Sequence, residues 1–195
     1  MIDPAPFITY TFVMSITPGP NNVMLTASGA RFGFRRTLPH ILGIGCGFIV
    51  QLLAVCAGLS ALFTRWPSLQ SALAWVGAAY LVFLGWQMLG SGDSESRDAH
   101  HPVSFLQAAF FQFLNPKAWV MTVTAATLFL PHELGPLLSG AYMAGVMEAI
   151  GVPCMMVWAL FGTSLKRFME APAGRRAFNV CMALALGVTA VMMVR

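Results

Sequence analysis

Hydrophobic positions fall in six long blocks separated by short polar punctuation, at about 5–30, 38–63, 67–90, 104–130, 134–163 and 174–194. A helix needs ~20 apolar residues to cross a bilayer, so each block is long enough, with room for tilt or a break. Pro4–Ala30, Thr37–Thr64 and Trp66–Gly92 contain no Asp, Glu, Lys or Arg. The punctuation is Arg31–Arg36, Thr64–Pro67, Ser91–Pro102, Pro131–Glu133 and Lys166–Arg176. Only Ser91–Pro102 is long and hydrophilic enough to act as a linker, and it divides the chain near its midpoint. The pattern predicts an all-α, polytopic membrane protein with six transmembrane helices in a single domain over 1–195. Repeat one covers about 1–90, a polar linker 91–103, and repeat two about 104–195. Three spans per half make the halves enter the membrane in opposite directions, so two halves of like fold form an inverted repeat.

Two blocks are interrupted at corresponding places. Thr17-Pro18-Gly19-Pro20-Asn21-Asn22 breaks the first, and Asn115-Pro116-Lys117 breaks the fourth, which opens the second half. A proline inside a helix removes a backbone hydrogen bond and collides with the preceding turn, at about 3 kcal/mol or more. In hydrocarbon the freed carbonyls and amides find no water, so unwound backbone survives only where it is buried in protein or lines a polar cavity. Paired breaks in corresponding spans point to a transporter's binding site, where half-helix N-termini favour an anionic group such as a carboxylate.

Composition agrees with the block pattern. Charged residues make up 9% of the 195 positions and hydrophobic ones 57%, with a mean hydropathy of +0.72, whereas soluble domains carry roughly a quarter charged residues. A soluble enzyme domain, a disordered chain, a disulfide scaffold and a nucleic-acid binder are all excluded. The net charge of +4 comes from clusters beside apolar blocks and reads as topology. Arg31, Arg35, Arg36, Arg97, Lys166, Arg167, Arg175 and Arg176 lie on the first, third and fifth connections, and only Arg65 and Arg195 on the other side. Eight against two places those three connections in the cytoplasm and both termini outside. The start, Met1-Ile2-Asp3-Pro4, lacks the basic n-region of a secretory signal, so the first block is expected to stay in the mature protein.

Two ionisable residues lie deep in blocks, Lys117 just after the second break and Glu148 within Tyr142–Pro153. A charge near the bilayer centre costs about 2.5–3.5 kcal/mol on insertion scales and should face the bundle interior with a partner. Lys117 and Glu148 could pair with each other. Alternatively, Lys117 holds a substrate carboxylate while Glu148 holds an ammonium or takes up a proton. His40, at the head of the second block, suggests an interfacial role. Cys46, Cys56, Cys154 and Cys181 all sit in apolar blocks without a C-x-x-C pair, and read as small packing residues. Gly43-Ile-Gly-Cys-Gly47 follows no strand and reads as close helix packing, as do Gly29 and Gly33. No cofactor, metal or catalytic motif is present, so an enzyme is not expected.

Ser15-Ile-Thr-Pro-Gly-Pro-Asn-Asn22, Gly77-Ala-Ala-Tyr-Leu81 followed by Leu84-Gly85, and Phe113-Leu-Asn-Pro-Lys-Ala118 closely resemble the lysine exporter family of bacterial efflux proteins. That family includes homoserine/threonine and cysteine/O-acetylserine exporters, and the likeness covers nearly the whole chain. The resemblance implies an inner-membrane carrier that exports amino acids or their relatives, driven by the proton gradient. Its Pro-Gly-Pro motif falls on Pro18, Gly19 and Pro20, and its second signature on Asn115, Pro116 and Lys117. Many members carry aspartate directly after Pro-Gly-Pro, where this chain has Asn21 and then Asn22. A neutral amide cannot offset a cationic side chain, so the pattern resembles the cysteine/O-acetylserine branch and favours a small neutral zwitterion.

In the expected site the substrate carboxylate meets Asn115, Lys117 and free backbone amides. The α-ammonium meets Asn21, Asn22 and unwound carbonyls, and Glu148 couples transport to protons. The expected partners are an amino-acid substrate and the lipid bilayer, and the glycine-rich faces also suit a homodimer. Two competing readings are a membrane thiol oxidoreductase, which needs cysteines at the breaks, and a passive channel, which the cation at Lys117 disfavours.

Overall fold

A computed structural model describes residues 4–59, 65–90, 101–131 and 135–194. The described residues form eight α-helices: α1 (Ala5–Ile16), α2 (Pro20–Phe32), α3 (Phe34–Ala54), α4 (Pro67–Gly90), α5 (Phe105–Leu114), α6 (Pro116–Phe129), α7 (Pro136–Ser164) and α8 (Pro172–Val194). A short π-helical segment, Val55–Leu59, continues α3, and a single 3-10 turn, Phe168–Glu170, precedes α8. No strand occurs among the described residues. Ser60–Thr64, most of the polar linker with Arg97, His132–Glu133 and Arg195 lie outside the described residues.

Helix ends follow from proline and glycine chemistry. The residue before a proline is driven out of the α region, and Thr17 and Asn115 are accordingly extended, at φ −66°, ψ 144° and φ −88°, ψ 106°. Pro20 and Pro116 then open α2 and α6 at the first helical position, where no amide hydrogen is missed. The first and fourth apolar blocks are therefore each two helices, divided where the prolines predict. Ser104 caps α5 through a capping box with Gln107.

The second block begins earlier than its hydropathy suggests. Gly33, at φ +80°, reverses the chain in one residue, so α3 starts at Phe34 and takes Arg35 and Arg36 into its first turn. His40 consequently sits in the second turn of α3 and is fully buried, with neither ring nitrogen partnered among the described residues.

Polarity is arranged inside out. Asn22, Gln51, Gln112 and Asn115 are buried, while Trp86, Phe110, Leu137 and Met192 are each more than 70% exposed. That arrangement suits a lipid surround, where polar groups must find partners within the protein. Helices α3, α4, α7 and α8 are long and apolar enough to cross a membrane. Glycines set the closest approaches: a Cβ on Gly29 would strike the Ala159 carbonyl oxygen, and one on Gly162 the Thr26 carbonyl oxygen, so α2 and α7 meet backbone to backbone. Gly43 and Gly47 do the same for α3 against Phe105 and Ala109 of α5. The paired helices α4 and α8 pack on each other and on α2 around Leu81, Phe178 and Leu186. Cys154 is buried, but Cys46 and Cys181 are exposed on outward faces and do not serve as packing residues.

Candidate functional site

The two breaks meet across one cavity of about 560 Å³, part of it open to solvent. Seven of the nine residues singled out from sequence line it: Gly19, Pro20, Asn21, Asn22, Asn115, Lys117 and Glu148. Pro18 and Pro116 shape the breaks without lining the cavity, and Pro18 is exposed. Apart from Ser15 and Gln112, the remaining wall is apolar and rich in methionine, with Met14, Met121, Met147 and Met155 beside Ile44 and Phe48.

Lys117 does not pair with Glu148; its ammonium is engaged elsewhere. The Lys117 Nζ crosses from the second break to the first and donates to the Thr17 carbonyl at 2.8 Å, to Thr17 Oγ1 at 2.9 Å and to the Pro18 carbonyl at 3.5 Å. It caps the carbonyl end of α1, where the helix dipole is negative. Gly19 leaves the space for this crossing: a Cβ there would lie 2.8 Å from Lys117 Cδ.

Other donors complete the same cap. Asn22 Nδ2 donates to the Ser15 and Thr17 carbonyls, each at 2.9 Å, and Trp158 Nε1 donates to the Ile16 carbonyl at 3.1 Å. The unwound carbonyls expected to receive a substrate ammonium are thus already occupied, and so is the side-chain amide of Asn22. At the second break, Asn115 Oδ1 accepts from the Lys117 amide at 3.1 Å, and its carbonyl accepts from Ala118 and Trp119. Asn115 is 2% exposed and acts as the N-cap of α6.

What stays free is more limited. The first-turn amides of Asn21 and Asn22 have no intrahelical carbonyl to bond, which makes the start of α2 the electropositive end facing the break. Glu148, on α7, has no hydrogen bond or ion pair among the described residues. Its carboxylate occupies space that only a glycine leaves, with Oε2 lying 2.8 Å from the position of a Cβ on Gly45 of α3.

Two polar residues absent from the sequence reading complete the site. Asn21 Nδ2 donates to Gln112 Oε1 at 3.1 Å, and Gln112 Nε2 donates back to Asn21 Oδ1 at 3.4 Å. Gln51 Nε2 donates to the Gln112 carbonyl at 3.2 Å. Both glutamines are fully buried, inside helices that are otherwise apolar at these depths. A polar side chain in an apolar span is costly unless partnered, and that cost was the signal available in the sequence.

No solved structure matches the chain. The cysteine/O-acetylserine efflux proteins of Escherichia coli strain K12 and Shigella sonnei strain Ss046 are each 33% identical to it over 181 residues, covering 92% of this chain and 91% of theirs. These relatives are transporters rather than enzymes, and with the apolar helices they mark a multi-pass membrane protein. The sequence profile described as LysE type translocator matches residues 12–195. The chain therefore belongs to the LysE type translocator family.

Proposed function

We propose that the protein exports small neutral amino acids or their derivatives across a bacterial inner membrane, by alternating access around the cavity between the two breaks and in exchange for protons. The observation that carries this reading is the cavity itself, which brings the open N-terminus of α2, the Lys117 cation and the unpartnered Glu148 carboxylate to one place. A substrate carboxylate fits the Asn21 and Asn22 amides beside Lys117. Its ammonium fits Glu148, since the α1 carbonyls are taken. The relatives named for cysteine and O-acetylserine efflux support a small zwitterion as cargo.

Six crossings follow if α1 with α2, and α5 with α6, each make one broken span. Support for inverted repeats comes from packing that exchanges the halves: α3 packs on α7 and α4 on α8, while α5 packs on α3 as α1 packs on α7. The arginine and lysine count supports periplasmic termini. A C-terminal alkaline phosphatase fusion is then active, and a fusion active only as a cytoplasmic reporter contradicts the orientation.

Glu148 cannot hold a proton and an ammonium ion pair together, which makes it the coupling residue. The substitution Glu148→Gln keeps an oxygen acceptor for the ammonium but removes the change of charge. In proteoliposomes this variant loses efflux driven by a pH gradient while retaining substrate exchange. Unchanged pH dependence removes Glu148 from the coupling role.

A further inference from the structure

We infer that Gln112 is a specificity-determining positioning residue, which fixes the Asn21 amide so that the cavity accepts neutral polar cargo side chains and rejects ionised ones. The inference rests on the exporter reading. Gln112 has its own orientation locked, because its Nε2 donates to the Ala108 carbonyl one turn back at 3.3 Å. Turning the amide over would put Oε1 against that carbonyl, oxygen to oxygen. The reciprocal pair with Asn21 passes the lock on. Both residues line the cavity wall, but Gln112 is fully buried behind it, whereas Asn21 is half-buried and presents its amide to the space.

An amide engaged through one N–H and one oxygen lone pair has one of each left. Asn21 therefore offers a donor and an acceptor that cannot exchange places. A hydroxyl or thiol can use either, and an ester accepts from the N–H without bringing a charge. An ammonium or guanidinium side chain can use only the acceptor, leaves the fixed N–H unpaired, and finds no second carboxylate beyond the one its α-ammonium requires. A carboxylate side chain finds a fixed carbonyl oxygen. A site built around placed polar groups discriminates through those left unpaired by the wrong cargo.

The test is a double-mutant cycle in proteoliposomes on Asn21→Ala, Gln112→Leu and the double variant, with threonine and lysine as competing cargoes. Gln112→Leu is expected to raise the threonine KM roughly tenfold, the worth of one hydrogen bond, with kcat retained, and to narrow the threonine-over-lysine preference by a similar factor. Because Gln112 acts through Asn21, the double variant loses no more than Asn21→Ala alone. Additive losses, or unchanged KM and preference in Gln112→Leu, overturn the inference. Gln112→Glu provides a second route if the leucine variant does not fold: it is expected to shift preference toward lysine, and an unshifted preference also overturns the inference. A wild-type protein that moves none of cysteine, O-acetylserine, threonine, leucine and lysine refutes the exporter reading instead.

Discussion

Gly162→Ala is expected to cost about 3 kcal/mol of stability, at the upper end for overpacking, and to cut the yield of monodisperse protein sharply. The added methyl collides with the Thr26 carbonyl oxygen and crowds its carbon and Cα at 2.8 and 2.9 Å. A side chain could turn aside, but a helix backbone cannot, so α7 must move away from α2. The reciprocal contact of Gly29 with Ala159 opens with it, as does the bond from Thr163 Oγ1 to the Gly29 carbonyl. Gly145, on the same helix, is the control: its Cβ position has nothing within 4 Å. Gly145→Ala is expected to be neutral or to stabilise by about 0.5–1 kcal/mol through helix propensity. Thermal unfolding in detergent reads both, and equal effects at the two glycines would refute the backbone seam.

Lys117→Met is the second large effect. It keeps an unbranched side chain out to Cε and removes the ammonium, leaving the Pro18 carbonyl without its donor and the Thr17 carbonyl with Asn22 alone. Hydrogen bonds from a charged group are worth about 1.5–3 kcal/mol, so a loss of about 2 kcal/mol is expected with no substrate present. Efflux should fall about tenfold or more as α1 loses its tie to the second break. Arginine is not expected to rescue, because its planar fork needs room that Gly19 leaves only for a slim chain. A substrate-free melting temperature unchanged in Lys117→Met would mean that Lys117 touches cargo and does not hold the fold.

The breaks were legible because proline acts locally: Pro18, Pro20 and Pro116 dictate where helices end whatever surrounds them. The glycine seam was legible in part. Gly29, Gly43 and Gly47 showed helix-packing spacing, whereas Gly33 serves a positive-φ reversal and has no neighbour within 4 Å of its Cβ position. The destination of Lys117 was not legible. Its acceptors on Thr17 and Pro18 are 100 and 99 positions away, and the carbonyls among them leave no mark in a sequence. Charge stood out in the apolar blocks, but Gln51 and Gln112 carry none, and their part in the site emerges only when α5 is laid against α2 and α3. The burial of His40 was not legible either, because a one-residue turn at Gly33 extends α3 beyond its apolar block.

The proposed export requires that the cavity between the breaks move small neutral amino acids outward at the expense of a proton gradient. The most direct measurement loads proteoliposomes containing the purified protein with labelled cysteine, O-acetylserine, threonine or leucine and imposes a pH gradient. Saturable, gradient-accelerated efflux of at least one of these is the predicted result, and the absence of gradient-sensitive efflux across the whole panel would contradict it.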